Sequence, residues 1–111
     1  WSPLARGRLT RPWGEETTRT ESDAFAKTLY HEESNRKIVD AVVAIAAERG
    51  IPAAHVARAW VLHQPVVTAP IVGATKPQHL ADAVAAVDLD LSVEELARLE
   101  EHYTPRDASG F

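Results

Sequence analysis

Residues 70 to 84 read Pro-Ile-Val-Gly-Ala-Thr-Lys-Pro-Gln-His-Leu-Ala-Asp-Ala-Val. An apolar run breaks at Gly73, and a helix is due just past the cation Lys76. That order builds an anion site. A short strand delivers the chain to a turn, Gly73 lets the backbone come close to a ligand, and the exposed N–H groups opening the next helix attract a phosphate. Thr75 and Lys76 add a hydroxyl and a positive charge at the same end.

Upstream, Val66-Val-Thr-Ala-Pro-Ile-Val72 is short, β-branched and bounded by turn residues, which predicts a strand buried on both faces. Before it, Ile38, Val42 and Ile45 recur at helical spacing, with Ser34 as cap and Gly50 as stop. A second helix starts after Pro52, with Val56, Ala59 and Trp60 inward and Trp60 buried between helix and sheet. Downstream, the helix from about Pro77 to Ala86 is followed by a capping box, Ser92 with Glu95, that opens a last helix to about His102.

Residues 1 to 9 read as the exit of a strand followed by a loop, because Pro3 cannot donate to a central ladder and Gly7 marks a turn. Residues 10–33 hold no sustained period and read as one long loop. Its Trp13 and Phe25 suit either a flap over a site or a surface excursion pinned by two aromatics. Residues 103–111 are expected to be an irregular tail. Strands alternating with helices imply parallel pairing and an α/β class.

The composition is that of a soluble globular chain, with 45% hydrophobic and 25% charged residues, so a disordered tail is excluded. A net charge of -4 argues against nucleic acid as the main partner, which selects for a basic face. No apolar run approaches the roughly 20 residues that span a bilayer. The absence of cysteine removes disulfides, thiolate chemistry and Cys-ligated zinc, and suits a cytoplasmic location. His31, His55, His63 and His102 show no ligand-like spacing with one another or with carboxylates, so no metal is expected. Glu94, Glu95, Glu100 and Glu101 read as a solvated acidic helix face. Ser2 lacks a Gly-x-Ser-x-Gly context, so no nucleophilic triad is expected. The opening at Trp1 rather than Met leads to the expectation that residues 1–111 are part of a longer protein.

Trp-Ser-Pro-Leu-Ala-Arg-Gly at 1–7, together with Pro-Ile-Val-Gly-Ala-Thr-Lys-Pro-Gln-His-Leu at 70–80, resembles the C-terminal part of an aldo-keto reductase. Residues 51–62, Ile-Pro-Ala-Ala-His-Val-Ala-Arg-Ala-Trp-Val-Leu, are similar to the helix preceding the eighth strand in that family. The resemblance covers nearly the whole chain. It implies the C-terminal portion of a (β/α)₈ barrel, incomplete here, with Trp1 and Ser2 ending strand seven and Ile71 and Val72 in strand eight. The loops after those two strands are where such barrels commonly bind phosphate.

Family members reduce aldehydes and ketones with NADPH. The resemblance therefore implies a small-molecule carbonyl substrate and NADP as cofactor, with NAD possible. Carried over, Trp1 would lie against the nicotinamide. Ser2, Pro3, Leu4 and Gly7 would pass the pyrophosphate with Arg6 close by. Gly73, Thr75 and Lys76 would surround the 2′-phosphate and ribose, and His79 and Asp82 would reach toward the adenine. His79 stands where many relatives carry Arg, and Ala83 where they carry Asn, so preference for NADP rests mainly on Lys76. The family's catalytic Asp, Tyr, Lys and His map onto no residue here. No catalytic residue is assigned, and the chain alone is expected to be inactive. Two other readings stay open: a non-catalytic dinucleotide-binding regulatory subunit of the same fold, and a small phosphate-binding α/β module.

Overall fold

Helical periodicity organises the structure, a computed structural model that describes residues 1–29 and 33–105. The expectations placed on Tyr30, on His31 and on the tail beyond Pro105 lie outside the described residues. The longest helix, α3 (Glu33–Arg49), buries Val39, Val42, Ile45 and Ala46 along one stripe. It ends where Gly50 takes a φ of 66°, with Gly50 N–H donating to Ala47 and Ile51 N–H to Ala46, a left-handed stop that absorbs two of the last carbonyls. Pro52 then leads into α4 (Ala53–His63), which turns back along α3 and buries Val56, Ala57 and Ala59.

The last helix, α6 (Val93–Glu100), starts at the expected capping box. Glu95 N–H donates to the Ser92 hydroxyl at 3.2 Å, and Ser92 N–H donates to the Glu95 carboxylate at 2.8 Å. Leu91 and Leu99 bring α6 onto α3, closing a core made of Val42, Ile45, Ala46, Val56, Ala57, Ala59, Leu91 and Leu99. Arg49 grips the Glu95 carboxylate through two nitrogens, and Arg98 pairs with Glu48 at 2.7 and 2.8 Å. Trp60 is partly buried at the rim, donating its indole N–H to Glu100 at 2.9 Å and lying 6.1 Å from the Tyr103 ring. Glu95 and Glu100 are therefore engaged rather than simply solvated.

Two elements precede α3 in place of an irregular excursion: α1 (Thr18–Ser22) and α2 (Ala24–Leu29), the latter with Ala26 N–H donating to Asp23 at 3.0 Å. A short 3₁₀ segment, Ala5–Thr10, packs on α3 and α4 through Leu4 and Leu9. Helix α5 (Pro77–Ala85) packs against α4 and buries no residue of its own.

The expected strands are where sequence and structure part. No β-ladder forms among the described residues. Ser2 sits in a turn with a φ of 53°, accepting from Ala5 N–H at 2.9 Å. In the 66–72 run, Val66 is 90% and Ile71 71% exposed, the reverse of a strand buried on both faces. The reason is physical: a parallel strand takes its hydrogen bonds from neighbouring strands and its burial from layers on each side. Among the described residues the 66–72 run has no paired neighbouring strand. The helices, which satisfy their backbones internally, form regardless.

Candidate functional site

Two loops carry the residues singled out from the sequence, and both flank α4. The first runs from Trp1 to Gly7. Ser2, Ala5 and Arg6 have φ values of 53°, 47° and 56°, and Gly7 has 92°, so the chain coils through a run of left-handed conformations. Such conformations cost about 1–2 kcal/mol for each residue with a Cβ. Arg6 is tied to Asp23 by an Nε to Oδ2 contact of 2.6 Å, and its guanidinium lies 5.7 Å from the Phe25 ring centre. The loop is thereby fastened to the start of α2. Trp1 is 62% exposed, with Ser2, Pro3 and Leu4 partly buried behind it.

The second loop is the turn from Gly73 into α5. Lys76 has an extended backbone immediately before the first turn, Pro77 occupies the first turn, and no side chain caps the helix start. The His79 ring folds back on Thr75, its Nδ1 3.4 Å from both the Thr75 N–H and the Thr75 hydroxyl oxygen. Gly73, Thr75 and Lys76 are exposed, and no hydrogen bond or ion pair engages the Lys76 ammonium among the described residues. A side chain at Gly73 would meet nothing within 4 Å. The Gln78 N–H in an uncapped first turn, a hydroxyl, an imidazole and an unengaged cation thus share one open corner, a donor set suited to a polyanion.

One turn further on stands Asp82. Its Oδ1 accepts from His55 Nε2 at 3.1 Å and from Gln78 Nε2 at 2.8 Å, while Oδ2 accepts from neither. The His55 hydrogen bond above all, then that from Gln78, holds the Asp82 carboxyl below the usual carboxylate range. Arg58, on the same face of α4 as His55, adds its charge from nearby. Arg58 is 4% exposed, and its Nε and Nη1 make no hydrogen bond. Burial pushes its guanidinium down, with Asp82 opposing.

Of the residues singled out, the structure brings Thr75 and His79 into contact and leaves Lys76 open beside them; Asp82 joins α5 to α4. His55 and Arg58 were missed. The available signal was a His and an Arg three positions apart, hence on one face, in an otherwise apolar Ala53–Trp60 stretch. A cavity of about 350 Å³, whose walls include Arg8, Leu9, Trp13, Ile38 and Tyr103, shares no residue with the Gly73–Asp82 corner. No group of three His, Cys, Asp or Glu residues that could hold a metal is found among the described residues. No helix among them is long and apolar enough to cross a membrane.

The sequence profile described as the Aldo/keto reductase family matches residues 1–104. The chain is 42% identical over 110 residues to the versiconal hemiacetal acetate reductase of Aspergillus parasiticus, covering 96% of this chain and 32% of that protein. It is 41% identical over 112 residues to a putative aryl-alcohol dehydrogenase of Schizosaccharomyces pombe, covering 99% of this chain and 31% of that protein. An aldo-keto reductase of Fusarium vanettenii is 42% identical over 113 residues, covering 99% and 30% respectively. The chain therefore spans about a third of the length of the curated relatives it matches.

Proposed function

The chain belongs to the aldo/keto reductase family, whose fold is a (β/α)₈ barrel, and on that premise we propose that it is the cofactor-binding C-terminal part of an NAD(P)H-dependent enzyme reducing aldehydes or ketones to alcohols. The observation that carries the reading is the open corner at the start of α5. There an unengaged Lys76, the Thr75 hydroxyl, His79 and the uncapped first turn of α5 meet beside a glycine with empty space around it.

These residues fit a dinucleotide. Lys76 supplies the charge that a 2′-phosphate needs, Thr75 and the Gln78 N–H supply donors, and Gly73 leaves room for the ribose side. The Asp82 Oδ2 offers an acceptor to the amino group of the adenine. At the first loop, Ser2, Pro3, Leu4 and Gly7 line the path of the pyrophosphate, and the exposed Trp1 ring offers a flat face to the nicotinamide. Arg6 acts there chiefly by holding the loop on Asp23. When bound, the reduced nicotinamide supplies the hydride for the carbonyl carbon. This chain's residues bind and orient the dinucleotide, while protonation of the carbonyl oxygen falls to residues outside residues 1–111.

Titrating the full-length protein with NADPH and NADH by calorimetry tests the reading. Lys76→Ala is expected to weaken NADPH by about tenfold or more, since a charge-assisted contact is worth about 1.5–3 kcal/mol, and to leave NADH within about twofold. Equal loss for both cofactors, or none, rejects the phosphate role.

A further inference from the structure

We propose that His55 is a positioning residue for dinucleotide recognition. Its Nε2–H anchors one oxygen of Asp82 so that the other stays presented to the adenine amino group. The inference rests on the reading of Asp82 given above and adds a residue on a different helix to it.

Both donors on Asp82, from His55 on α4 and Gln78 on α5, converge on Oδ1. An ionised carboxylate only accepts hydrogen bonds, so Nε2 is the protonated ring nitrogen in this contact. Two donors from different directions on one oxygen fix the rotation of the carboxyl group and leave Oδ2 outside the pair. Gln78 alone cannot do this, because it sits one turn before Asp82 on the same exposed helix and moves with it. His55 is the contact that references Asp82 to the core, since α4 is buried through Val56, Ala57 and Ala59.

A competitor stands close by. Arg58 is buried with Nε and Nη1 unbonded, near enough for its charge to act on Asp82. An unpaired buried guanidinium draws any carboxylate within reach. With His55 removed, the Asp82 carboxylate is expected to rotate toward Arg58 and withdraw Oδ2 from the ligand. His55 thus keeps Asp82 turned to the corner at α5 rather than collapsed onto α4.

The test compares His55→Leu, His55→Gln and Asp82→Ala in the full-length protein. Affinity is measured by calorimetry for NADPH and for its hypoxanthine analogue, which lacks the amino group, alongside kcat and the KM for NADPH. The expected result is that Asp82→Ala and His55→Leu each weaken NADPH by about five- to tenfold. Both leave the affinity for the analogue within about twofold, and His55→Gln, which keeps a donor, restores most of the affinity for NADPH. A loss for Asp82→Ala with none for His55→Leu overturns the proposal and leaves the Asp82 reading standing. If Asp82→Ala changes neither ligand, that reading fails and takes the proposal with it. Should His55→Leu weaken both ligands equally, or lower the melting temperature without a ligand-specific effect, the His55–Asp82 contact is a packing contact and the proposal is overturned.

Discussion

Gly7 and Gly73 show how differently two glycines can be required. Gly7 has a φ of 92°, and a Cβ there would lie 2.7 Å from Arg11 Nη2, whose own bond runs back to the Gly7 carbonyl at 3.1 Å. Gly7→Ala is expected to destabilise the full-length protein by about 1–2 kcal/mol, read by thermal or denaturant unfolding. Gly73 has neither a left-handed φ nor a neighbour within 4 Å. Gly73→Ala is expected to leave stability within about 0.5 kcal/mol while lowering dinucleotide affinity, because its methyl group would occupy the space proposed for the ligand. Loss of stability without loss of affinity would show that Gly73 serves the fold alone. At this scale the corner from Gly73 to His79 was legible because a glycine, a hydroxyl and a cation before a helix have a chemistry that needs no tertiary information. The His55–Asp82 pair was not legible, because two residues 27 positions apart meet only through the packing of α5 on α4.

Among the elements, α6 depends most openly on a few polar atoms. Ser92→Ala removes one half of its capping box and is expected to cost about 1 kcal/mol. Glu95 closes that box and also receives Arg49 from the end of α3, so one carboxylate fixes both the start of α6 and its seat. The Arg49 hydrogen bond above all holds the Glu95 carboxyl below its usual range. A carboxyl whose folded value is depressed contributes stability that is present above its unfolded value and lost as pH falls toward the folded one. Melting temperature should therefore drop more steeply for wild type than for Glu95→Gln as pH falls below the ordinary carboxylate range, the difference vanishing once Glu95 is protonated in both states. Parallel curves would show that the Arg49–Glu95 pair contributes nothing to folding. The helices themselves were readable because a 3.6-residue period with caps is local. The strand at 66–72 was read from β-branched composition, which records a preference for a buried pleated surface rather than the presence of neighbours to build it, and the strand end at 1–2 from Pro3, Gly7 and the family resemblance.

For the whole molecule, the question is what covers the apolar surface the helices leave open. Val66, Ile71, Leu80, Val84 and Val87 are all exposed, and Leu80 and Val84, one turn apart, form an outward apolar stripe on α5. Exposed apolar surface of this kind marks a face that another surface covers. Purified residues 1–111 are expected to bind a hydrophobic dye strongly and to unfold with a broad transition. Mixed with NADPH and a reactive aldehyde, they are expected to oxidise no cofactor above a blank. A sharp cooperative melt without dye binding would instead favour a self-sufficient phosphate-binding module, and measurable turnover would refute the inactivity.

Trp60 gives these questions an optical handle. Its indole is bonded to Glu100, at the end of α6, and faces the Tyr103 ring just beyond. With Trp1 and Trp13 replaced by Phe, emission from the remaining indole would report the seating of the last helix. A red shift together with lost energy transfer from Tyr103 would signal that the helix had lifted away.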